Sequence, residues 1–294
     1  MHSRMSVSRK AFMACNFAFL TALSLLCVLP LIHILAVSFS SGAAASAGIV
    51  KLWPVEFTTA AYENILNKAQ YLTAFGVSLK RVLLGTALNL LLTITAAYPL
   101  SKDSSYFRLR TFYVWIYVIT ILFSGGLIPW FMTIKATGLM DTIWALVLPS
   151  AVPVFNVILL LNFFRGLPKE LEESARMDGA GHFMILWRFF VPLSLPALAT
   201  ITLFSMVGHW NSWFDGLILM NDPKNYPMQT FLQTIIISKD PRFLSAQEAQ
   251  LLATLSDRTS TAAQIYVAAL PILLVYPFLQ RFFVKGIVLG SVKE

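Results

Sequence analysis

The side chains able to do chemistry in this chain are few, and their spacing limits what they can do. Carboxylates crowd together once, as Glu170, Glu172, Glu173 and Asp178, around the passage EESARMDGAGHFMILWRFFVP that runs from Glu172 to Pro192. The histidines His2, His33, His182 and His209 are scattered and give no metal-ligand spacing. No Gly-x-x-x-x-Gly-Lys-Ser/Thr phosphate loop occurs. Catalysis by a metal or a phosphate-loop nucleotide therefore finds no constellation here. What remains is recognition by hydrogen bond and shape. Asn89, Asn156, Asn162, His209 and Asn211 lie inside or at the ends of apolar runs, where polar side chains are expensive and face protein or water. Gly208 to Phe214, GHWNSWF, sets an imidazole and an amide beside the rings of Trp210 and Trp213. The plainer readings are packing or interfacial anchoring for the tryptophans and a helix–helix hydrogen bond for His209.

The elements that position these residues belong to a membrane protein. Hydrophobic residues make up 57% of the 294 positions and charged residues only 12%, with a mean hydropathy of +0.71. A soluble domain carries roughly twice that charge. Phe and Pro spread along the whole length, which argues for several spans. The net charge of +8 reads as topology and lipid headgroups, and no basic run is long enough to suggest nucleic acid. Cys15 and Cys27, both in the first apolar run, would stand about 18 Å apart on a helix and so cannot bridge; they read as small buried hydrophobes. Arg4, Arg9 and Lys10 precede that run and Ala45-Ser46-Ala47 imitates a cleavage site. The run is nevertheless longer than a signal core, which points to an uncleaved first span.

A span needs about 20 mostly apolar residues. Six segments qualify, giving an all-α, polytopic, single transmembrane domain over 1–294, with spans near 12–37, 82–100, 112–131, 143–164, 193–219 and 262–283. Pro30 predicts a kink in the first, and Ser124-Gly125-Gly126 a break in the third. With the N-terminus inside, the inner segments hold Lys and Arg at about twice the density of the outer ones. Both termini and the segment 165–191 are then cytoplasmic. The long polar segment near 220–261 is external, and Trp53 and Pro54 mark a second folded external loop.

The passage around Glu172 reads as two short helices. Pro168 suits a first helical position, the glutamates suit the first turns, and Gly179 suits a left-handed stop. A second helix begins near Gly181 and carries Phe183, Ile185, Leu186, Trp187 and Phe189 up to Pro192. Helices this short do not hold themselves together in water. Headgroups would receive the aromatic face, but not three glutamates beside an anionic leaflet; a protein partner accounts for both.

This passage resembles the signature loop of binding-protein-dependent ABC importer permeases. Glu173-Ser174-Ala175, Gly179 and Phe189-Phe190-Val191-Pro192 carry the pattern, with Asp178-Gly179-Ala180 fully in it. Ser174 replaces an alanine, and Phe189 and Val191 replace Ile and Leu. The likeness extends along the chain to the smaller, maltose-type permease of carbohydrate importers. Phe123 to Pro129 (FSGGLIP), Asn162 to Ala180, Gly208 to Phe214 and Phe283 to Lys293 are similar to a subgroup that carries oligo- and polysaccharides, alginate among them. The resemblance implies a type I importer permease of the bacterial inner membrane, which is not itself an enzyme. Its partners would be a second homologous permease, two ATP-binding subunits, a periplasmic solute-binding protein, the oligosaccharide and membrane lipid, with no nucleic acid. It implies no cofactor in this chain, ATP and Mg residing in the ATPase subunits.

By the same resemblance, Glu173, Ser174, Ala175, Asp178, Gly179 and Ala180 couple to the ATPase. The Gly290 to Lys293 tail is a weaker contact, and Arg176 and Asp178 are open to a structural pairing within the loop. Asn156, His209, Trp210, Asn211 and Trp213 are candidates for the substrate path, amides suiting hydroxyls and rings suiting C–H faces. Asn221, Tyr226, Gln229, Gln247 and Gln250 in the external loop would meet sugar or binding protein. For an anionic cargo Lys224, Lys239, Arg242 and Arg258 gain interest, although ordinary topological charge explains them. Rival readings are a permease of the same architecture for a non-sugar solute, a channel working without an ATPase, and a membrane-embedded glycan or lipid transferase. The last would need acidic residues or histidines clustered at one membrane face.

Overall fold

The structure, a computed structural model, describes residues 7–67, 69–238 and 258–291. Every regular element among them is helical. Helix α1 (Val7–Ser38) is followed by α2 (Gly42–Ser46), α3 (Ala60–Leu66) and the long α4 (Ala69–Ser101). Then come α5 (Arg110–Leu122), α6 (Leu127–Ala136), α7 (Ile143–Val147), a 3-10 turn at Leu148–Ser150, and α8 (Val154–Arg165). The glutamate-rich passage forms α9 (Lys169–Met177), α10 (His182–Ile185), a π-helical turn at Leu186–Phe190, and α11 (Val191–Leu193). The chain continues through α12 (Leu195–Asn211), α13 (Phe214–Leu219), a 3-10 turn at Pro223–Asn225, α14 (Met228–Ser238) and α15 (Arg258–Ser291).

By length and composition α1, α4 and the Arg258–Phe278 part of α15 can each cross a bilayer. Three bent pairs bring the number to six if each pair is one span: α5 with α6 (114°), Ile143–Ser150 with α8 (46°), and His182–Leu193 with α12 (83°). Each bend has a local cause. Gly126, between α5 and α6, sits at φ +86°, a conformation that favours glycine. Pro153 precedes α8 in an extended conformation, and Pro196 occupies the first turn of α12, where a proline completes no hydrogen bond that a helix would miss. Two boundaries differ from the hydropathy reading. Helix α4 starts at Ala69 instead of near Val82, because Ser78, Lys80 and Arg81 lower hydropathy without interrupting a helix. The fifth run breaks after Asn211, where Ser212 turns extended and Phe214 restarts the helix.

The chain divides into two compact units. In the first, residues 1–69 with 235–270, the Ser38 hydroxyl meets Tyr62 Oη at 2.7 Å and Ser40 Oγ accepts the Val55 N–H at 3.0 Å. The Phe39 ring stacks on Phe57 and Tyr62, and Arg258 Nη1 donates to the Ala45 carbonyl at 3.4 Å. These contacts fold the stretch after α1 into a compact cap. Most of α1 itself is bare: Phe12, Phe17, Phe19 and Leu26 are exposed. Cys15 and Cys27 also point outward, contrary to the expectation that they are buried. A surface so apolar belongs in hydrocarbon.

In the second unit, residues 70–234 with 271–294, the main core joins Ala97 and Leu100 of α4 to Leu160 and Phe164 of α8, Ile185, Leu186 and Phe190, and Ile201 of α12. A smaller core gathers Ile134, Ala145, Leu146, Leu219 and Met220, with Tyr226 packed against it. The stretch after Leu219 is not an open loop as far as Ser238. Asp141, held at φ +60°, accepts the backbone N–H groups of Asn221 and Asp222 and the Asn225 amide at 3.0–3.2 Å, and α14 follows. Lys239, Arg242, Gln247 and Gln250 lie outside the described residues.

The crossing of α4 and α12 depends on one glycine. A Cβ at Gly85 would run into the His209 imidazole. We expect Gly85→Val to cost about 1–3 kcal/mol by overpacking, read as a lower thermal-unfolding midpoint of the purified protein in detergent; an unchanged midpoint would show that the crossing is loose.

Candidate functional site

Helix α4 presents a stripe that an apolar span would not need. Ser78, Arg81, Gly85, Asn89 and Thr93 follow one another at helical spacing, and all are buried. Against it lies a cleft of about 320 Å³, lined among others by Arg81, Asn89, Asn156, Ser205, His209 and Asp215.

Arg81, with only 2% of its side chain exposed, is the strongest feature of this cleft. Its guanidinium takes Asp215 in a two-pronged ion pair, Nη1 reaching Oδ1 at 3.1 Å and Nη2 reaching Oδ2. It also donates to the carbonyls of Ser212 at 3.3 Å and Leu146 at 3.4 Å. The Asp215 carboxylate is completed by the Ser212 hydroxyl (2.8 Å) and the Gly216 N–H (2.9 Å). One cation thus fastens α4, α7 and the break between α12 and α13. Both Nη groups are hydrogen-bonded and the carboxylate is gripped bidentately, while Nε is left without a partner; bidentate pairing is what a charge pair needs in a low-dielectric interior.

The other polar groups largely satisfy one another. The Asn89 amide, oriented so that its oxygen accepts from His209 Nε2 at 3.2 Å, points its nitrogen at the carbonyls of Gly85, Ser150 and Ala151 at 3.0–3.2 Å. Asn156 Nδ2 donates to Ser205 Oγ at 3.2 Å. Of the five substrate-path candidates, the cleft brings together Asn156 and His209. Trp210 is buried edge-on against Phe75 at 5.8 Å, as packing. Asn211 is exposed, and Trp213 packs on Phe214 while its carbonyl accepts from Thr230 Oγ1 at 2.8 Å. Hydropathy reading missed Arg81 and the partner role of Asp215. The signal was the polar spacing on α4, cut off by starting that span at Val82.

The glutamate-rich passage forms a second candidate site. Pro168 is the residue before α9 and not its first residue. The helix ends in a full Schellman motif: Ala180 N–H bonds the Ala175 carbonyl and Gly179 N–H the Arg176 carbonyl, both at 2.9 Å, with Gly179 at φ +80°. Ala175 is buried in the main core and Ala180 packs against it. Glu173, Ser174, Asp178 and Gly179 are exposed, as are Met177 and Phe183 at the tip.

Glu172, in contrast, turns inward. Its oxygens take Lys102 Nζ at 2.7 Å and Arg176 Nη2 at 2.8 Å. The Lys102 ammonium also lies 3.9 Å from the Tyr98 ring centroid and 4.2 Å from that of Phe190. Burial draws the Lys102 pKa below its ordinary range, with the Glu172 hydrogen bond working against it. Burial also opposes the charge on Glu172, but the hydrogen bonds and charges of Lys102 and Arg176 outweigh it and leave the carboxyl below its usual range. The Lys169–Asp103 pair, also 2.7 Å, is exposed at both ends and contributes little.

Comparison with known proteins gives the same fold and more. The family model described as "Binding-protein-dependent transport system inner membrane component" matches residues 91–288. Over 284 residues the chain is 39% identical to the protein LplC of Bacillus subtilis (strain 168), spanning 97% of this chain and 95% of that one. It is also 39% identical over 277 residues to the polygalacturonan/rhamnogalacturonan transport system permease protein YtcP of the same organism, spanning 94% and 96%. Among solved structures it is similar to a chain of a bacterial ABC transporter involved in the import of the acidic polysaccharide alginate. The TM-score is 0.86 at 32% identity, over 96% of this chain and 99% of that one.

Two predictions follow from the geometry. Asp215→Ala leaves a buried guanidinium uncompensated and should lower stability by about 3–5 kcal/mol, whereas Arg81→Met combined with Asp215→Leu should recover most of that loss; thermal unfolding of both variants decides. For Glu172, a carboxyl whose pKa is lowered in the folded state stabilises above its unfolded value and loses that contribution as pH falls through the folded one. Hydrogen exchange at the amides of Glu173 to Met177 should therefore accelerate only below about pH 4.5, while Glu172→Gln should show the fast exchange at neutral pH.

Proposed function

We infer the function of this chain from the family to which it belongs, the inner membrane components of binding-protein-dependent transport systems. It is a multi-pass permease subunit of an ABC importer for sugars, and a transporter component, not an enzyme.

We further propose that the cargo is an oligo- or polysaccharide rich in uronic acids, as the named cargoes of YtcP and of the alginate importer suggest. The chain works beside a second homologous permease, above two ATP-binding subunits that hold ATP and Mg, and receives cargo from a periplasmic binding protein. Both termini and the α9–α11 passage face the cytoplasm, in keeping with the distribution of Lys and Arg.

The observation that carries the mechanism is the shape of α9. Its inner edge is fixed by Ala175 and Glu172, and the Schellman turn at Gly179 gives it a defined end. Its outer edge offers Glu173, Ser174 and Asp178, with Met177 projecting at the tip. A nine-residue helix presented in this way is a knob for a cleft in the ATPase, Glu173 supplying a polar contact and Gly179 and Ala180 allowing close approach. Closure of the ATPase dimer then moves α9, and the spans alternate between outward and inward access. The cleft along α4 is the part of the path that this chain contributes. Asn156 and His209 stand in it as hydrogen-bonding groups, and Trp210 acts as its support. Because Arg81 is already neutralised by Asp215, the cleft meets sugar hydroxyls and not carboxylates.

A non-sugar permease of the same architecture fits the named relatives less well, and for a transferase the described residues offer no group of acidic residues, histidines or cysteines that could hold a metal ion.

The test is ATPase activity of the complex reconstituted with its binding protein, stimulated by uronate oligosaccharides or by neutral maltodextrins. Gly179→Pro removes both the left-handed turn and a hydrogen bond, and Glu173→Lys reverses a charge. Each should leave assembly intact and reduce sugar stimulation at least tenfold. Stimulation that survives both changes would make the passage a membrane-surface helix. Stimulation by maltodextrins alone would overturn the uronate assignment.

A further inference from the structure

Three features stand outside the function described so far. The exposed apolar face of Ile49, Leu52, Trp53 and Phe57 has nothing to indicate what covers it. The hollow of about 250 Å³ beneath α9 carries both charge signs in near balance and selects no ligand. The third is the Lys102 ammonium, where three separate elements converge on one charge.

Lys102 directly follows the last residue of α4. Its ammonium is enclosed by the Tyr98 ring of α4, the Phe190 ring of the π-helical turn and the Glu172 carboxylate of α9. Only 9% of its side chain is exposed. Glu172 is held in turn by Arg176, whose guanidinium lies over the Tyr106 ring at 4.9 Å from its centroid. A desolvated ammonium bound by a carboxylate and two ring faces resists separation much more than an exposed pair does. Lys169–Asp103, the other ion pair joining α9 to the segment after α4, is open to water at both ends. The polar attachment of α9 to α4 is therefore concentrated at one point.

The same helix is fastened a second time. About 30 Å along α4, at 1.5 Å per residue, Arg81 binds Asp215, Ser212 and Leu146 at the edge of the polar cleft. Continuous helix lies between the two fastenings. Pro99 lies inside this stretch, three residues before Lys102, so a displacement of α9 would reach the α12–α13 break along one element that is held at both ends and loosened close to Lys102.

We propose that Lys102 and Glu172 form the joint through which movement of α9 is passed to α4, and along it to the cleft. Both are positioning residues. This rests on the reading of α9 as the coupling element, and it assigns to Glu172 a role opposite to that of its neighbour Glu173: one glutamate faces the partner, the other grips the span.

The experiment measures sugar taken up per ATP hydrolysed by the complete importer in proteoliposomes. The variants are Lys102→Met, Lys102→Arg and Glu172→Gln, with Gly179→Pro run in parallel. Lys102→Met keeps the stem and removes the charge. It should leave basal hydrolysis within about twofold of wild type while the uptake-to-hydrolysis ratio falls at least tenfold, and Lys102→Arg should restore at least half of that ratio. A purely structural contact would lower hydrolysis and uptake together and leave their ratio unchanged. If Lys102→Met does not assemble, Glu172→Gln, which preserves shape, gives the deciding ratio. A wild-type ratio in that variant, or in Lys102→Met, overturns the joint even where Gly179→Pro uncouples. If Gly179→Pro also remains coupled, the reading of α9 falls, and the joint with it.

Discussion

A guanidinium sealed among apolar helices is tolerable only with its counter-charge and hydrogen bonds in place, and Arg81 has both. Through Asp215, Ser212 and Leu146 it fixes where α4 stands against α7 and where the chain breaks between α12 and α13. The cleft exists because of that break: an uninterrupted helix through Ser212 would not offer the carbonyl or the carboxylate on the same side. The neighbouring contacts have the same character. Gly85 admits the His209 ring, Asn89 secures it, and Ser78 receives the Met228 N–H at 2.7 Å. The helices of this unit meet along a polar and small-residue seam, the arrangement expected where lipid tails compete with leucine for apolar surface.

The second organising constraint is that short helices need support. Helices α9 and α10 have nine and four residues, too few to persist unaided. The main core takes Ala175, Ile185, Leu186 and Phe190 from this passage, which leaves the polar and apolar groups at its tip free for another protein. The burial that secures the inner edge also sets the direction of the outer one.

Much of this was legible in the sequence, and the exceptions have physical causes. Composition gave the membrane class, and Gly179 announced a left-handed helix end because its neighbours Asp178 and Ala180 left no other residue able to relax there. Ser124-Gly125-Gly126 announced the break between α5 and α6, but hydropathy did not place the bends before α8 and α12, since a window average is blind to a single residue's backbone. It also truncated α4 at Val82, because an arginine subtracts from hydropathy whether it meets water or a buried aspartate. The setting of Trp210 was out of reach of the sequence for a related reason. Sequence shows that a tryptophan is present, whereas only the structure shows that it is buried with Phe75 in a T-shaped contact. Glu172 and Glu173 are adjacent and chemically identical; the 100° between successive residues of a helix separates a half-buried clamp from an exposed carboxylate.

The pairing of Arg81 with Asp215 has an electrical consequence. Moving one elementary charge across a membrane held at 100 mV changes the free energy by about 2.3 kcal/mol. A lone arginine on a rocking helix would therefore make the conformational cycle sensitive to the membrane potential, as it does in a voltage sensor. Here the cation travels with its own anion, and the net charge displaced by this part of the permease is zero. The pair itself therefore gives the membrane potential nothing to pull on.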